Sequence, residues 1–198
     1  KKDYQSLLAK YGYRAITPTT LDDIDHVLLS AEEIQKRISV LAAKISEDYA
    51  GRELRLIGIL KGVAFFMTDL MRQLDLPVST DYMFITKYQR NGGDNGAVRI
   101  LKDLDQPIQG CDVLLAEDVV DTGITLRYIM NCLQARKPAS LKVCALLDRR
   151  VRRLVDQPID YVGFEIPDEY VVGYGLDYRE LYRNLPFICV LKPEAYKT

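Results

Sequence analysis

Histidine is almost missing from this sequence: of 198 residues only His26 carries an imidazole. That excludes a His-rich zinc site and takes away the usual base of Ser- or Cys-dependent nucleophilic catalysis. Acid–base work must fall to Asp, Glu, Lys, Arg or Tyr. An excess of one charge is missing too, since 27 basic side chains face 28 acidic ones for a net charge of -1. Nothing global points to nucleic acid as a partner. No apolar run approaches the roughly 20 residues that cross a bilayer, and the opening "KKDYQSLLAKYGYRAITPTT" lacks the apolar core of a secretory signal. The expectation is a cytoplasmic protein with no membrane partner. Cysteines are few, namely Cys111, Cys132, Cys144 and Cys189. They are widely spaced, with Cys144 and Cys189 inside apolar runs, which reads as reduced, structural thiols.

What is present is the patterning of one folded domain. The length suits a single sizeable core, and no internal repeat or low-complexity linker divides it. Residues 1–26 read as an appendage of unknown role, because "TPTTLDDID" mixes a proline break with acidic turn residues. Residues 27–198 read as a single domain. "SAEE" at 30–33 has the form of a capping box, and Ile34, Ile38, Leu41 and Ile45 recur at 4-3-4 spacing. This predicts a helix running to about Tyr49 with one buried face. Beyond it, the apolar strands "LRLIGIL", "VSTDYMFI", "DVLLAEDVV" and "LKVCALL" are interspersed with the helices "VAFFMTDLMRQL" and "ITLRYIMNCLQA". That pattern predicts an α/β fold, a mostly parallel sheet flanked by helices. The polar, glycine-containing "KYQRNGGDNGAVR" interrupts it. "IDYVGFEI", "YVVGYGLDY" and "FICVLK" read as further strands without helices between them, forming an edge or a small hood made mainly by the C-terminal part.

The chemistry concentrates in "VLLAEDVVDTGITL", residues 113–126. Glu117, Asp118 and Asp121 crowd three carboxylates into five residues as a strand ends. Asp121, Thr122, Gly123, Ile124 and Thr125 then form the turn into a helix whose buried face is Leu126, Ile129, Met130 and Leu133. In an open α/β sheet, ligands bind beyond the carboxyl ends of the strands, where a helix N-terminus offers unpaired N–H groups to an anion. Gly123 lets the backbone approach closely, and Thr122 and Thr125 add hydroxyls, which suits a phosphate monoester. Glu117 and Asp118 then suit sugar hydroxyls or Mg²⁺. The Gly-x-x-x-x-Gly-Lys-Ser/Thr spacing of a P-loop is absent. By the residues alone, an acidic helix cap with a glycine turn fits equally well.

Taken with "GILKG" at 58–62, "RILKDLD" at 99–105 and "DYVGFEIPDEYVVGYGLDYRELYRNLP" at 160–186, this stretch resembles the phosphoribosyl-pyrophosphate (PRPP) signature of the type I phosphoribosyltransferases. Within them the chain is similar to the hypoxanthine-guanine phosphoribosyltransferases, over about residues 27–196. The resemblance implies Mg²⁺-dependent transfer of the 5-phosphoribosyl group from PRPP to a 6-oxopurine in purine salvage, by a homo-oligomer, a dimer or tetramer.

Roles follow from the same resemblance. Asp121 to Thr125 would hold the 5′-phosphate, Glu117 and Asp118 the ribose hydroxyls and metal, and Asp121 would exchange a proton with the purine N7. Lys61, Gly62 and Arg183 would grip pyrophosphate, and Asp177 would hold a second Mg²⁺ directly or through water. Arg149, Tyr170 and Val171 would recognise the base, by a donor to the 6-oxo group, by stacking and by backbone groups. Lys87 and Tyr88 would belong to a closing lid. Without the resemblance, Lys61 fits a snorkelling strand-end lysine, Asp177 a turn residue and Tyr170 ordinary core.

Two positions depart from the family pattern, which usually has Ser-Tyr at Lys87-Tyr88 and lysine at Arg149. The latter exchange puts base preference in question, because arginine donates from a planar fork and lysine from a point charge. Two other functions compete. One is a phosphoribosyltransferase-like regulator that binds RNA, for which "DRRVRRLVD" offers four arginines in five residues. The other is a phospho-accepting receiver domain, disfavoured by the continuation into "EIPDEYVVGYGLDY".

Overall fold

The computed structural model describes residues 21–88 and 97–196. They divide into two compact units, one made of residues 21–36 and 169–196, the other of residues 37–168.

The larger unit is an α/β sheet of six strands. In chain order these are β2 (Leu54–Leu60), β3 (Val78–Tyr88), β4 (Ala97–Lys102), β5 (Asp112–Val120), β6 (Ser140–Asp148) and β7 (Tyr161–Glu165), arranged β4-β3-β2-β5-β6-β7. All neighbours are parallel except β3 and β4. The expected mostly parallel sheet is therefore present, and its central strands are buried on both faces, as their near-continuous apolar runs require. Helix α2 (Val63–Gln73) packs on β2 and β5. It comes so close that a Cβ at Gly58 of β2 would meet Met67 Sδ at 2.5 Å. Helix α3 (Ile124–Gln134) sends Leu126, Ile129 and Leu133 into one core with Val113 and Leu115 of β5 and Val143 and Ala145 of β6.

Helix α1 (Ala31–Asp48) begins as its sequence demands. The Ser30 N–H and hydroxyl both donate to Glu33 Oε2, at 2.8 and 2.7 Å, and the Glu33 N–H donates back to Ser30 Oγ at 3.2 Å. These bonds hold the Glu33 carboxyl below its ordinary pKa. Ile34, Ile38, Leu41 and Ile45 are all buried.

The smaller unit holds an antiparallel sheet of β1 (Ile24–Leu29), β9 (Ile188–Leu191) and β8 (Val171–Val172), in the order β1-β9-β8, followed by the short helix α4 (Pro193–Tyr196). Leu21, Ile24, Val172, Phe187 and Leu191 share its core. Of the stretch read as an appendage, residues 21–26 thus supply buried side chains and the start of a strand.

The four cysteines are free thiols, and burial pushes the Cys189 thiol up to about 12. No described helix is long and apolar enough to cross a membrane.

Candidate active site

The end of β5 and the turn after it line a cavity of about 210 Å³, bordered by Glu117, Val119, Val120, Asp121, Thr122, Gly123, Thr125 and Leu126. Strand β5 carries Glu117 and Asp118 to the carboxyl edge of the sheet, and the turn Asp121–Gly123 leads into α3. Gly123 sits at φ 79°, a left-handed conformation glycine adopts without cost. A Cβ there would lie 2.7 Å from the Val155 carbonyl oxygen. Gly123 gives α3 no side-chain cap, and the first intrahelical bond runs from the Arg127 N–H to the Gly123 carbonyl. The amides of the first turn therefore have no intrahelical partner, the Ile124 N–H making a long 3.4 Å bond to Thr122 Oγ1, and such a turn can receive an anion.

Glu117 is buried, and its carboxyl is pushed well above the ordinary glutamate range, first by loss of water and then by the neighbouring Asp118 charge. Asp118 turns one carboxylate oxygen back to the Val119 N–H at 2.7 Å. A hard divalent cation suits such a pair, because carboxylate oxygens are its preferred ligands and its charge offsets theirs. Among the described residues no three His, Cys, Asp or Glu side chains converge as a closed metal cage. A metal here would take its remaining ligands from substrate and water.

Arg149 follows the last residue of β6, and its N–H donates to the Val120 carbonyl at 2.9 Å. Anchored there, its buried guanidinium reaches Asp121. Nη1 lies 3.1 Å from Oδ1 and donates to Oδ2 at 3.3 Å. The Arg149 Nε is buried with no protein acceptor. Sequence reasoning placed Asp121 and Arg149 in one site; that they pair directly was not expected.

Lys61 and Gly62 stand at the carboxyl end of β2, next to β5, and the Leu60–Lys61 peptide is cis. In the smaller unit, Arg183 donates to the Gly175 carbonyl at 2.7 Å and pairs with Asp177 at 2.8 Å, so these two expected ligands are already brought together. Tyr170 stacks on Tyr196 with ring centres 4.8 Å apart and meets Tyr178 edge-on at 5.6 Å. Val171 is buried in β8, opposite Val190. The backbone of Lys87 and Tyr88 ends β3, whereas their side chains and residues 89–96, the rest of the expected lid, lie outside the described residues.

Sequence reasoning missed Arg153, which donates from Nε to the Asp121 carbonyl at 3.0 Å and pairs with Asp148. The only signal for it was the arginine cluster. That cluster is split: Arg149 and Arg153 turn toward Asp121, while Arg150 and Arg152 are exposed and paired with Glu165 and Asp168.

Known proteins resemble the chain along most of its length. A phosphoribosyl transferase domain is matched over residues 28–179. The hypoxanthine-guanine phosphoribosyltransferase of Staphylococcus aureus is 49% identical over 175 residues, which span 88% of this chain and 98% of the relative. That of Bacillus subtilis is 45% identical over 176 residues, 89% and 98% of the two chains. A crystal structure of a hypoxanthine phosphoribosyltransferase from Staphylococcus aureus superposes with a TM-score of 0.88 at 47% identity, covering 93% of this chain and all of the other. A hypoxanthine phosphoribosyltransferase from Trypanosoma cruzi reaches 0.84 at 40% identity, over 88% and 99%. With its acidic strand end, its glycine turn and these relatives along most of its length, the chain belongs to the hypoxanthine-guanine phosphoribosyltransferase family.

Proposed function

We propose that this enzyme transfers the 5-phosphoribosyl group of PRPP to hypoxanthine or guanine, giving IMP or GMP and pyrophosphate. The observation that carries the proposal is the union, in one cavity, of a helix start whose N-cap is a glycine with the carboxylates Glu117 and Asp121. The amides of the turn and the hydroxyls of Thr122 and Thr125 bind the 5′-phosphate, and Glu117 and Asp118 accept from the ribose hydroxyls. Breaking the bond to pyrophosphate leaves a ribosyl centre with oxocarbenium character, so the site must hold the sugar, offset charge and exclude water. Mg²⁺ held by Glu117 and Asp118, with a second ion held by Asp177 directly or through water, would supply charge neutralisation for the departing pyrophosphate. Lys61, Gly62 and Arg183 grip that group, and Lys87 and Tyr88 belong to the segment that screens the reaction from water.

At the base, Asp121 exchanges a proton with the purine N7. Arg149 donates to the 6-oxo group, a role supported by its buried Nε, which has no protein acceptor. Tyr170 stacks on the purine and Val171 reads its edge through backbone groups. Pairing between Arg149 and Asp121 fits this assignment, since each neutralises the other until the base takes their place.

The decisive experiment is a coupled assay with PRPP, Mg²⁺ and each of hypoxanthine, guanine, xanthine and adenine. Hypoxanthine and guanine should react, whereas adenine, which sets a 6-amino donor against a donor, should be slower by about 10⁴-fold. Equal rates with adenine would remove Arg149 as the 6-oxo reader, and no turnover with any base would reject the proposal. We also place the enzyme in a homo-oligomer, which light scattering on the purified protein tests directly. The RNA-binding reading loses its main support, because only two of the four clustered arginines face outward and both are paired with carboxylates.

A further inference from the structure

Arg153 has no role in the reaction described above, yet it is more tightly engaged than any other arginine of its cluster. Its side chain is only 16% exposed. Nε donates to the Asp121 carbonyl at 3.0 Å, Nη2 to the Asp148 carboxylate and Nη1 to the Gln157 carbonyl at 3.4 Å. Its own backbone neighbours repeat the contact: the N–H groups of Leu154 and Val155 both donate to the Thr122 carbonyl at 3.0 Å. Arg153 Cδ and the Val155 carbonyl lie 3.0 and 2.7 Å from where a Gly123 Cβ would stand. Residues 153–155 therefore sit flush against the turn and occupy the carbonyls of two successive residues.

That arrangement has a directional consequence. In a trans peptide the N–H points opposite to the C=O. With the carbonyls of Asp121 and Thr122 turned to residues 153–155, the N–H groups of Thr122 and Gly123 are turned the other way. The cavity is lined by Asp121, Thr122, Gly123 and Thr125 and by none of residues 153–155. We infer that Arg153, oriented by Asp148, is a positioning residue for the phosphate turn, fixing its peptide planes so that the amide donors face the bound 5′-phosphate. Each of its three nitrogens donates to a protein acceptor, its charge is matched by Asp148, and it does not line the cavity, so it acts through the backbone and not by contact with ligand.

The inference rests on the reading that this turn binds the 5′-phosphate. The test compares Arg153→Met, Arg153→Lys and Asp148→Asn with the wild type. The readouts are steady-state kinetics with PRPP and hypoxanthine, and calorimetric binding of IMP and of pyrophosphate. PRPP and IMP share the 5′-phosphate; pyrophosphate lacks it. Both arginine variants should raise the KM for PRPP and the Kd for IMP together by roughly 10- to 100-fold, the cost of misplacing a binding group by about 1 Å. The KM for hypoxanthine and the Kd for pyrophosphate should stay within about threefold. Lysine should rescue poorly, because it keeps the charge but not the fork, and Asp148→Asn should move the same two constants in the same direction by less.

Unchanged PRPP and IMP constants in folded variants would overturn the inference, as would a uniform loss across all four constants, which marks a purely structural role. Full rescue by lysine would overturn it as well, since charge alone would then suffice. Should Arg153→Met fail to fold, Asp148→Asn decides by the same two constants. A wild-type protein that neither turns over PRPP with hypoxanthine nor binds IMP would instead sink the reading of the turn itself, leaving Arg153 out of the matter.

Discussion

The turns after β2 and β5 leave neighbouring parallel strands, in register from Leu54 opposite Asp112 to Gly58 opposite Ala116, yet they are built on different plans. After β2 the chain runs through Lys61 and Gly62 directly into α2, with Gly62 at φ −58° and ψ −37°, backbone angles open to any residue. After β5 it takes a left-handed step at Gly123 and is held by residues 153–155, some thirty positions further on. The second turn has a tertiary brace, which suits the proposed role of a cradle of amides that keeps its shape before an anion arrives. In the proposed reaction the two turns serve opposite ends, the first the leaving pyrophosphate and the second the 5′-phosphate and the base.

The sharpest break of that comparison is Asp121→Asn. The amide keeps the shape and loses the proton transfer, so kcat should fall by about 10- to 1000-fold while PRPP affinity holds. Lys61→Met should instead weaken pyrophosphate binding in the reverse reaction. Hypoxanthine turnover by Asp121→Asn at the wild-type rate across pH would take the acid–base role away from the β5 turn.

Next in size is Arg149→Ala. Loss of a charged donor inside a buried site costs about 1.5–3 kcal/mol, on the order of 10- to 100-fold in an equilibrium. That loss should appear in the KM for the base far more than in the KM for PRPP. A variant that loses PRPP affinity and keeps its base KM would turn Arg149 toward the phosphate, and the 6-oxo group would need a reader other than Arg150, which is exposed and paired with Glu165.

The turns also differ in how they should answer to a methyl group. Gly123→Ala meets both a positive φ, worth on the order of 1–3 kcal/mol of strain, and the Val155 oxygen at 2.7 Å. Thermal denaturation should show a Tm lowered by about 2–4 °C for each kcal/mol lost. Gly62→Ala meets no such backbone penalty and should cost less. Equal losses at the two positions would mean that the turns are alike in strain.

Much of this was legible in the sequence. The capping box and the 4-3-4 spacing of Ile34, Ile38, Leu41 and Ile45 located α1, and near-continuous apolar runs located β2, β5 and β6, because those signals are local. Strand β4 was not read: Ala97–Lys102 is short, mixes Arg99 and Lys102 with apolar residues, and pairs antiparallel at the edge, where no second buried face imposes a pattern. "IDYVGFEI" resolves into β7, the parallel edge strand beyond β6, whereas only Val171–Val172 of "YVVGYGLDY" is a strand and the rest runs through isolated bridges and a turn with positive φ at Tyr174, which no β-propensity foretells. In the site, the carboxylates and glycine of "EDVVDTG" stand side by side in the chain. The grip of Arg153 on the Asp121 carbonyl spans 32 residues and goes to a backbone atom, which leaves no trace in side-chain patterning.

The last contrast lies in what each strand carries to its end. Strand β2 finishes on Ile59 and Leu60, whereas β5 carries the buried Glu117, whose carboxyl burial and Asp118 push upward. The free enzyme therefore keeps a proton on Glu117 at pH values where the unfolded chain, with an ordinary glutamate near 4.3, has lost it. More protons bound in the native state means that stability falls as pH rises, from the unfolded pKa up through the raised native one. Glu117→Gln is neutral at every pH and escapes this loss. Its Tm should equal that of the wild type near pH 4 and exceed it near pH 8, while saturating PRPP and Mg²⁺ should reverse the order, because the wild-type carboxylate then gains partners that the amide lacks. Parallel Tm curves for the two proteins from pH 4 to 8 would show that Glu117 is ionised in the free enzyme, and that the end of β5 is no more costly to bury than the end of β2.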